Sequence, residues 1–396
     1  MSLLTGRTIG GMFLVTGSCV GAGMLALPIL TGLAGFYPSF TFFIISWVFM
    51  TFTALLMIEV NSIFTQRTNI VSMASATLGP FGRFLSWSLY LFLFYTLLVA
   101  YIAAGGNIFS SFLSQLLHRE IPQYWASIIF VSLFGIIIYL GTKPVDIWNR
   151  VLIAGLVLSY SGMIFLGFRK VDTTYFQYSN WKYVFAPLPV LVVSFGFHNM
   201  IPSLISYLQH DIRKAKITIL GGSFLSLLIY IIWEVVILGV LPIDVIARSY
   251  QNGTEASQAI SEILGTSWFT GYANAFAFFA IVTSFLAQGL CLTHFLADGF
   301  KLHPEKKHNL ALCILTLAPP LFFGVLYPTV FFKALSFAGG ICAVILFGIM
   351  PVLMVAISRY RKNIKASYQA FGGKIALVLA LLFFLLIIFI EGIKLW

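Results

Sequence analysis

Stretches of about twenty apolar residues, the length a helix needs to cross the hydrocarbon of a bilayer, follow one another along the whole chain. They fall at about 8–33, 39–60, 84–112, 124–141, 149–168, 184–207, 218–241, 269–296, 309–327, 331–357 and 374–394. Charged residues make up only 9% of the sequence and hydrophobic ones 60%, against roughly 25% charged in soluble domains. No water-soluble fold hides that much apolar side chain. In lipid every backbone N–H and C=O must be satisfied within the chain, and segments of this length do so as helices. The expectation is an all-α polytopic membrane protein: one transmembrane unit over 1–396, with eleven helices. Trp125, Trp148, Trp181, Trp268 and Trp396 stand near segment ends, where an interfacial aromatic belt places them.

The formal net charge is +11. A basic excess can signal nucleic acid. In a membrane protein it is also the cytoplasmic bias of Lys and Arg, and position decides between the two. With the amino terminus inside, 16 of the 23 Lys and Arg fall in inside regions, including Arg67, Lys214, Lys301, Lys306, Lys307, Arg359 and Lys365. The expected topology is therefore a cytoplasmic amino terminus and an external carboxyl terminus. The lipid bilayer is the partner this pattern describes, and nucleic acid drops out. Two acids fall within spans. Glu59 ends span two and reads as interfacial. Glu234 lies inside span seven, as a proton carrier or a neutral structural donor.

Cys19, Cys291, Cys313 and Cys342 all sit in apolar stretches and form no CxxC pair. Metal sites, disulfides and organic cofactors are not expected. A membrane-embedded enzyme needs acids, His or Cys gathered near one membrane face, and only scattered singles occur.

An internal repeat is legible. The longest hydrophilic connections, 61–83 and 242–268, follow spans two and seven, and each holds a candidate short helix, at 70–78 and 256–264. Five spans per half is an odd number, so the halves are inverted: 8–168 and 184–357, with 374–394 as an extra helix. Spans one and six, again equivalent, have interrupted centres. Span one carries Gly17, Gly21 and Gly23 among Thr16, Ser18, Cys19, Val20 and Ala22. Span six carries Ser194-Phe195-Gly196-Phe197-His198-Asn199, then Pro202. Three glycines weaken a helix by roughly 1 kcal/mol each relative to alanine, and Pro202 lacks the N–H that would close on the His198 carbonyl. Paired interruptions in an inverted repeat point to a transporter's binding site. A channel offers no reason for them. The alternative for span one is close packing, since Gly17 and Gly21 also form GxxxG. The expected unwinding is at 18–22. Thr283 and Ser284 in span eight supply hydroxyls for ion coupling, alongside Glu234. Tyr95 and Tyr101 in span three are further candidates for the pocket wall, and Gly339-Gly340 in span ten reads as close packing.

Gly17-x-x-x-Gly21-Ala22-Gly23-Met24-Leu25-Ala26-x-Pro28, Ser194-Phe195-Gly196-Phe197-His198-x-x-Ile201-Pro202-Ser203 and Thr283-Ser284-Phe285-Leu286 resemble motifs of the bacterial hydroxy/aromatic amino acid permeases, the tyrosine- and tryptophan-specific transporters. The resemblance covers essentially the whole chain. His294 and Asn199 depart from the family pattern, which has Asp and often Gly there. The resemblance implies a LeuT-type five-plus-five inverted repeat plus one helix, in a bacterial inner membrane. It implies import of an aromatic L-amino acid, tyrosine foremost, by proton symport, with function as a monomer. The alternative is a Na⁺-coupled or broader neutral amino acid symporter. On this reading the substrate carboxylate meets the amides of Gly21, Ala22 and Gly23. Its ammonium meets carbonyls near Thr16, Gly17, Ser194 and Phe195, and its side chain lies against Phe197, His198, Asn199 and span three.

Overall fold

The computed structural model describes residues 5–64, 68–265, 267–300, 310–364 and 366–394. Arg67, Lys301, Lys306, Lys307, Lys365 and Trp396, used above for topology, lie outside the described residues. Among those described, every regular element is helical.

The first span is two helices, α1 (Gly6–Cys19) and α2 (Ala22–Gly32), bent by 58°. Then come α3 (Phe36–Asn61), α4 (Ile70–Leu117), α5 (Gln123–Leu140) and α6 (Thr142–Phe168). Span six is again divided, into α7 (Leu188–Ser194), a 3-10 turn (Phe197–Met200) and α8 (Ile201–Tyr207). α9 (Ile212–Val240) leads to two short helices, α10 (Ile243–Asn252) and α11 (Ala256–Leu264). α12 (Ser267–Gly299), α13 (Leu310–Leu326), α14 (Phe331–Phe337), a π-helical stretch (Ala338–Ile349), α15 (Met350–Tyr360) and α16 (Gly373–Lys394) complete the chain.

Nine of these helical stretches are long and apolar enough to cross a membrane, and ten when α1 and α2 count as one bent span, among the described residues. α13 is apolar but, at 17 residues, stops short of the spanning length; its amino-terminal flank, 301–309, lies outside the described residues. The helices also outrun the apolar segments. α4 covers 48 residues, because apolarity marks the hydrocarbon crossing while hydrogen bonding continues into the polar zone. Its first turns, 70–78, are the short helix expected before span three. Gly79, at φ 80°, separates them from the span in a conformation that favours glycine.

Two packed bodies share the core. α1 and α3 pack along α9, joined by α2 and α7. α12 packs along α6 and α4, with α5 and α13 beside them. Gly339 and Gly340 do serve close approach: a Cβ at Gly339 would strike the carbonyl of Pro189 on α7, and one at Gly340 would meet Glu391 of α16 at 2.8 Å.

Glu59, in the last turn of α3, is turned into the protein rather than to solvent. It is 2% exposed and forms a forked pair with Arg359 of α15, with Nε to Oε1 at 2.6 Å and the terminal nitrogen on Oε2. Ala370 N–H donates to the same carboxylate at 2.7 Å, and the Ala370 carbonyl accepts from Arg359 at 2.9 Å. Sequence spacing hides this pair, because its members are 300 residues apart.

Candidate functional site

The break in span one is narrower than 18–22. Ser18 and Cys19 remain in α1 and Ala22 already begins α2, so only Val20 and Gly21 leave the helix. Gly21 is extended (φ −166°), so its lack of a side chain matters for space. A Cβ there would lie 2.6 Å from the Ser284 hydroxyl, and one at Gly23 would lie 2.9 Å from that of Ser194. Gly17 is different. A Cβ on it would meet nothing within 4 Å, and Gly17 and Ser18 are exposed. The GxxxG pattern is therefore not a helix contact at both glycines.

The first turn of a helix presents unpaired amides. In α2 the Ala22 N–H donates to Ser284 Oγ at 3.1 Å. Ser284 thus sits where a ligand anion would meet the helix end. Thr283 turns its hydroxyl back to the carbonyl of Phe279 at 2.7 Å. Tyr95 donates to Leu315 O at 2.8 Å and belongs to the α4–α13 contact rather than to this centre.

In span six the main chain leaves α7 after Ser194. Pro202 stands in the first turn of α8, where its missing N–H costs nothing. The His198 carbonyl is not left free, because the Ile201 N–H takes it. His198 is fully buried, with Nε2 2.9 Å from Thr53 Oγ1 of α3. The Thr53 hydroxyl is 3.1 Å from the Met50 carbonyl, its acceptor. A neutral ring that donates from Nε2 to Thr53 has Nδ1 as its acceptor; Nδ1 has no partner among the described residues. The ring stacks on Phe347 (5.1 Å, 12°) of the π-helical stretch. Phe347 in turn meets Tyr90 of α4 edge-on at 6.2 Å. Asn199 Oδ1 and Ser194 Oγ are likewise buried without partners among the described residues.

The carbonyls expected to face an ammonium are mostly engaged. Thr16 O accepts from Val20 N at 2.8 Å and Phe195 O from Phe197 N at 3.1 Å. Ser194 O accepts from Tyr230 Oη at 2.9 Å, and the same phenol reaches Cys19 O at 2.6 Å. Thr16 itself uses its hydroxyl on Met12 O and on Gly222 O of α9. Gly196, at the centre of the span-six break, lies against the ring of Phe347, where a Cβ would come within 3.1 Å.

Tyr230 was not singled out by the sequence. The signal was present: Ser223, Ser226, Tyr230 and Glu234 recur at three- and four-residue spacing, a polar stripe down one face of an otherwise apolar span. Ser223 accepts from Trp47 at 3.1 Å and Glu234 from Thr31 of α2 at 2.8 Å. The neighbouring Trp233 donates to Met24 O at 3.0 Å. Glu234 is 3% exposed, and its Oε1 has no partner among the described residues.

The tryptophan/tyrosine permease family model matches residues 5–391. The chain belongs to this family. It is 31% identical over 400 residues to tyrosine-specific transport system 2 of Haemophilus influenzae, covering 100% of this chain and 98% of the relative. It is 30% identical to the tryptophan-specific transport protein of the same organism, covering 95% and 93%. Against the tryptophan-specific transport protein of Pseudomonas aeruginosa it is 29% identical, covering 95% and 92%. The protein is thus a permease rather than an enzyme, a multi-pass inner-membrane protein with an amino acid substrate of the aromatic class. The permease motifs at both breaks lie on elements that Tyr230 joins.

Proposed function

We propose that this permease imports aromatic amino acids, tyrosine foremost, by proton symport with alternating access. The observation that carries the reading is the meeting of two broken helices, from spans one and six, around Tyr230. Relatives named for tyrosine and for tryptophan support the substrate class. The architecture we infer is eleven spans in a LeuT-type five-plus-five inverted repeat plus α16. The short helices at 70–78 and Ala256–Leu264, each following an equivalent span, support it.

In this scheme the amino terminus is cytoplasmic and the carboxyl terminus periplasmic, and one copy of the chain suffices. The substrate carboxylate replaces Ser284 Oγ at the amide end of α2, next to Gly21, Ala22 and Gly23. The ammonium turns to the Gly17 and Ser18 carbonyls of α1. The aromatic side chain lies towards His198, Asn199 and Phe347, where His198 Nδ1 accepts a donor. The exposed Gly17 and Ser18 support a state open on the α1 side. Glu234 is the proton carrier in this scheme, with Thr31 as its partner.

The test is uptake of radiolabelled tyrosine into proteoliposomes under an imposed pH gradient or an imposed Na⁺ gradient, with the other aromatic amino acids as competitors. Saturable, pH-driven uptake is expected, with tyrosine the strongest competitor. Ohmic flux, or uptake driven by Na⁺ alone, defeats the reading.

A further inference from the structure

Two helices end their carbonyl runs in the middle of the bundle, and one side chain closes both. The last turn of a helix leaves carbonyls without an intrahelical donor, and inside a membrane each must find a partner. At paired breaks that partner can be a cation, held by unwound carbonyls and half-helix ends. Here Cys19 O of α1 and Ser194 O of α7 lie 2.6 and 2.9 Å from the single oxygen of Tyr230. The residue is fully buried. Its ring is held edge-on by Phe195 at 5.2 Å and backed by Phe43 at 6.2 Å. A phenol carries one proton, so that proton is shared between the two helix ends. A metal ion bound to both carbonyls would stand where the proton stands. Of the span-eight hydroxyls, Thr283 donates to Phe279 O and Ser284 accepts from Ala22 N.

We propose that Tyr230 is the positioning residue of the transport site: its phenol proton fixes the spacing of the two helix breaks and takes the place of a bound metal cation between them. This rests on the reading of the breaks as the substrate site. Tyr160 offers a matched control. Its phenol also donates to a backbone carbonyl, that of Ile229, at 2.9 Å, but it joins α6 to α9 and bonds to neither break carbonyl.

The experiment is tyrosine uptake by the full chain in proteoliposomes, with KM and the maximal rate per inserted carrier read separately. Tyr230→Phe is expected to raise KM about tenfold, equivalent to about 1.4 kcal/mol, at a near-normal maximal rate. Tyr160→Phe should keep the wild-type KM. Wild-type uptake should be unchanged when Na⁺ is replaced by choline. A wild-type KM in Tyr230→Phe, with only a lowered melting temperature as in Tyr160→Phe, overturns positioning. A Na⁺ requirement in the wild type overturns the replacement of the cation, and that arm needs no variant. Failure of the breaks as the substrate site shows separately, as a wild-type KM in Gly21→Leu.

Discussion

At the residue scale, space and hydrogen-bond donors decide the chemistry. Gly21→Leu drives a side chain onto the Ser284 hydroxyl, 2.6 Å from where the first new carbon would lie. His198→Ala removes the ring that links Thr53 to Phe347. Both variants should insert normally, measured by surface labelling, and lose uptake; wild-type rates in both would remove the site. Glu234→Gln separates the two roles of that side chain. The amide still accepts from Thr31 but carries no exchangeable charge. Accumulation against a gradient should be lost while counterflow of labelled tyrosine persists. Unchanged accumulation would leave Glu234 a structural acceptor only. Much of this was legible in the sequence, since glycine, proline and histidine inside an apolar run announce themselves. For Tyr230 only the face was legible, as part of the polar stripe of α9; its use depends on which carbonyls the fold brings to it.

Elements were legible to the extent that apolarity marks them. The two breaks and the short helix Ala256–Leu264 lie where the sequence placed them, because glycines, proline and polar runs interrupt the hydrocarbon pattern. The pairing of α3 with α15 was invisible, since Glu59 and Arg359 meet only in three dimensions. Their fork is nearly sealed, with side chains 3% and 10% exposed. Removing one partner leaves an uncompensated buried charge, which costs about 3–5 kcal/mol. Arg359→Ala should therefore lower the melting temperature sharply. Glu59→Gln with Arg359→Met should recover much of the loss, and additive losses in the double variant would refute the coupling. α11 carries a pH dependence. Glu255 caps it, accepting from Ser257 N at 2.6 Å and Gln258 N at 3.1 Å. Burial pushes its carboxyl up from 4.5 to about 7, despite the opposing hydrogen bonds. A folded-state pKa raised above the unfolded one contributes stability that is full below pH 4.5 and lost as pH rises through about 7. The contribution is on the order of 3 kcal/mol. The wild-type melting temperature should fall across that window, and Glu255→Gln should flatten the slope. An equal slope in the variant would assign it to another group.

For the whole molecule, the alternating access proposed above moves the body built on α9 against the one built on α12. The packing already separates them: α1 and α3 lie along α9, while α6 and α4 lie along α12. On the side where α2 ends, α10 and α11 both rest on α2, and Gly32 presses on Ile246 of α10. A Cβ at Gly32 would be 3.1 Å from Ile246 Cγ2, one bond from that residue's own Cβ. One bond of about 1.5 Å puts the two Cβ positions no more than about 4.6 Å apart, close to the roughly 3.5–4.5 Å a disulfide needs. On the opposite side, the exposed face of α1 carries Phe13, Leu14, Gly17 and Ser18. In the proposed cycle, contact over α2 with exposure beside α1 is one end, and locking the α2 side should halt it. In a Cys291→Ser background, which removes the exposed native thiol, Gly32→Cys with Ile246→Cys should abolish tyrosine uptake under oxidation and regain it with reductant. Binding of labelled tyrosine from the α1 side should survive the lock, because the site itself is untouched. Full uptake by the oxidised pair would mean that α10 travels with α2 throughout the cycle, and that the closing surface lies between α2 and α12 instead.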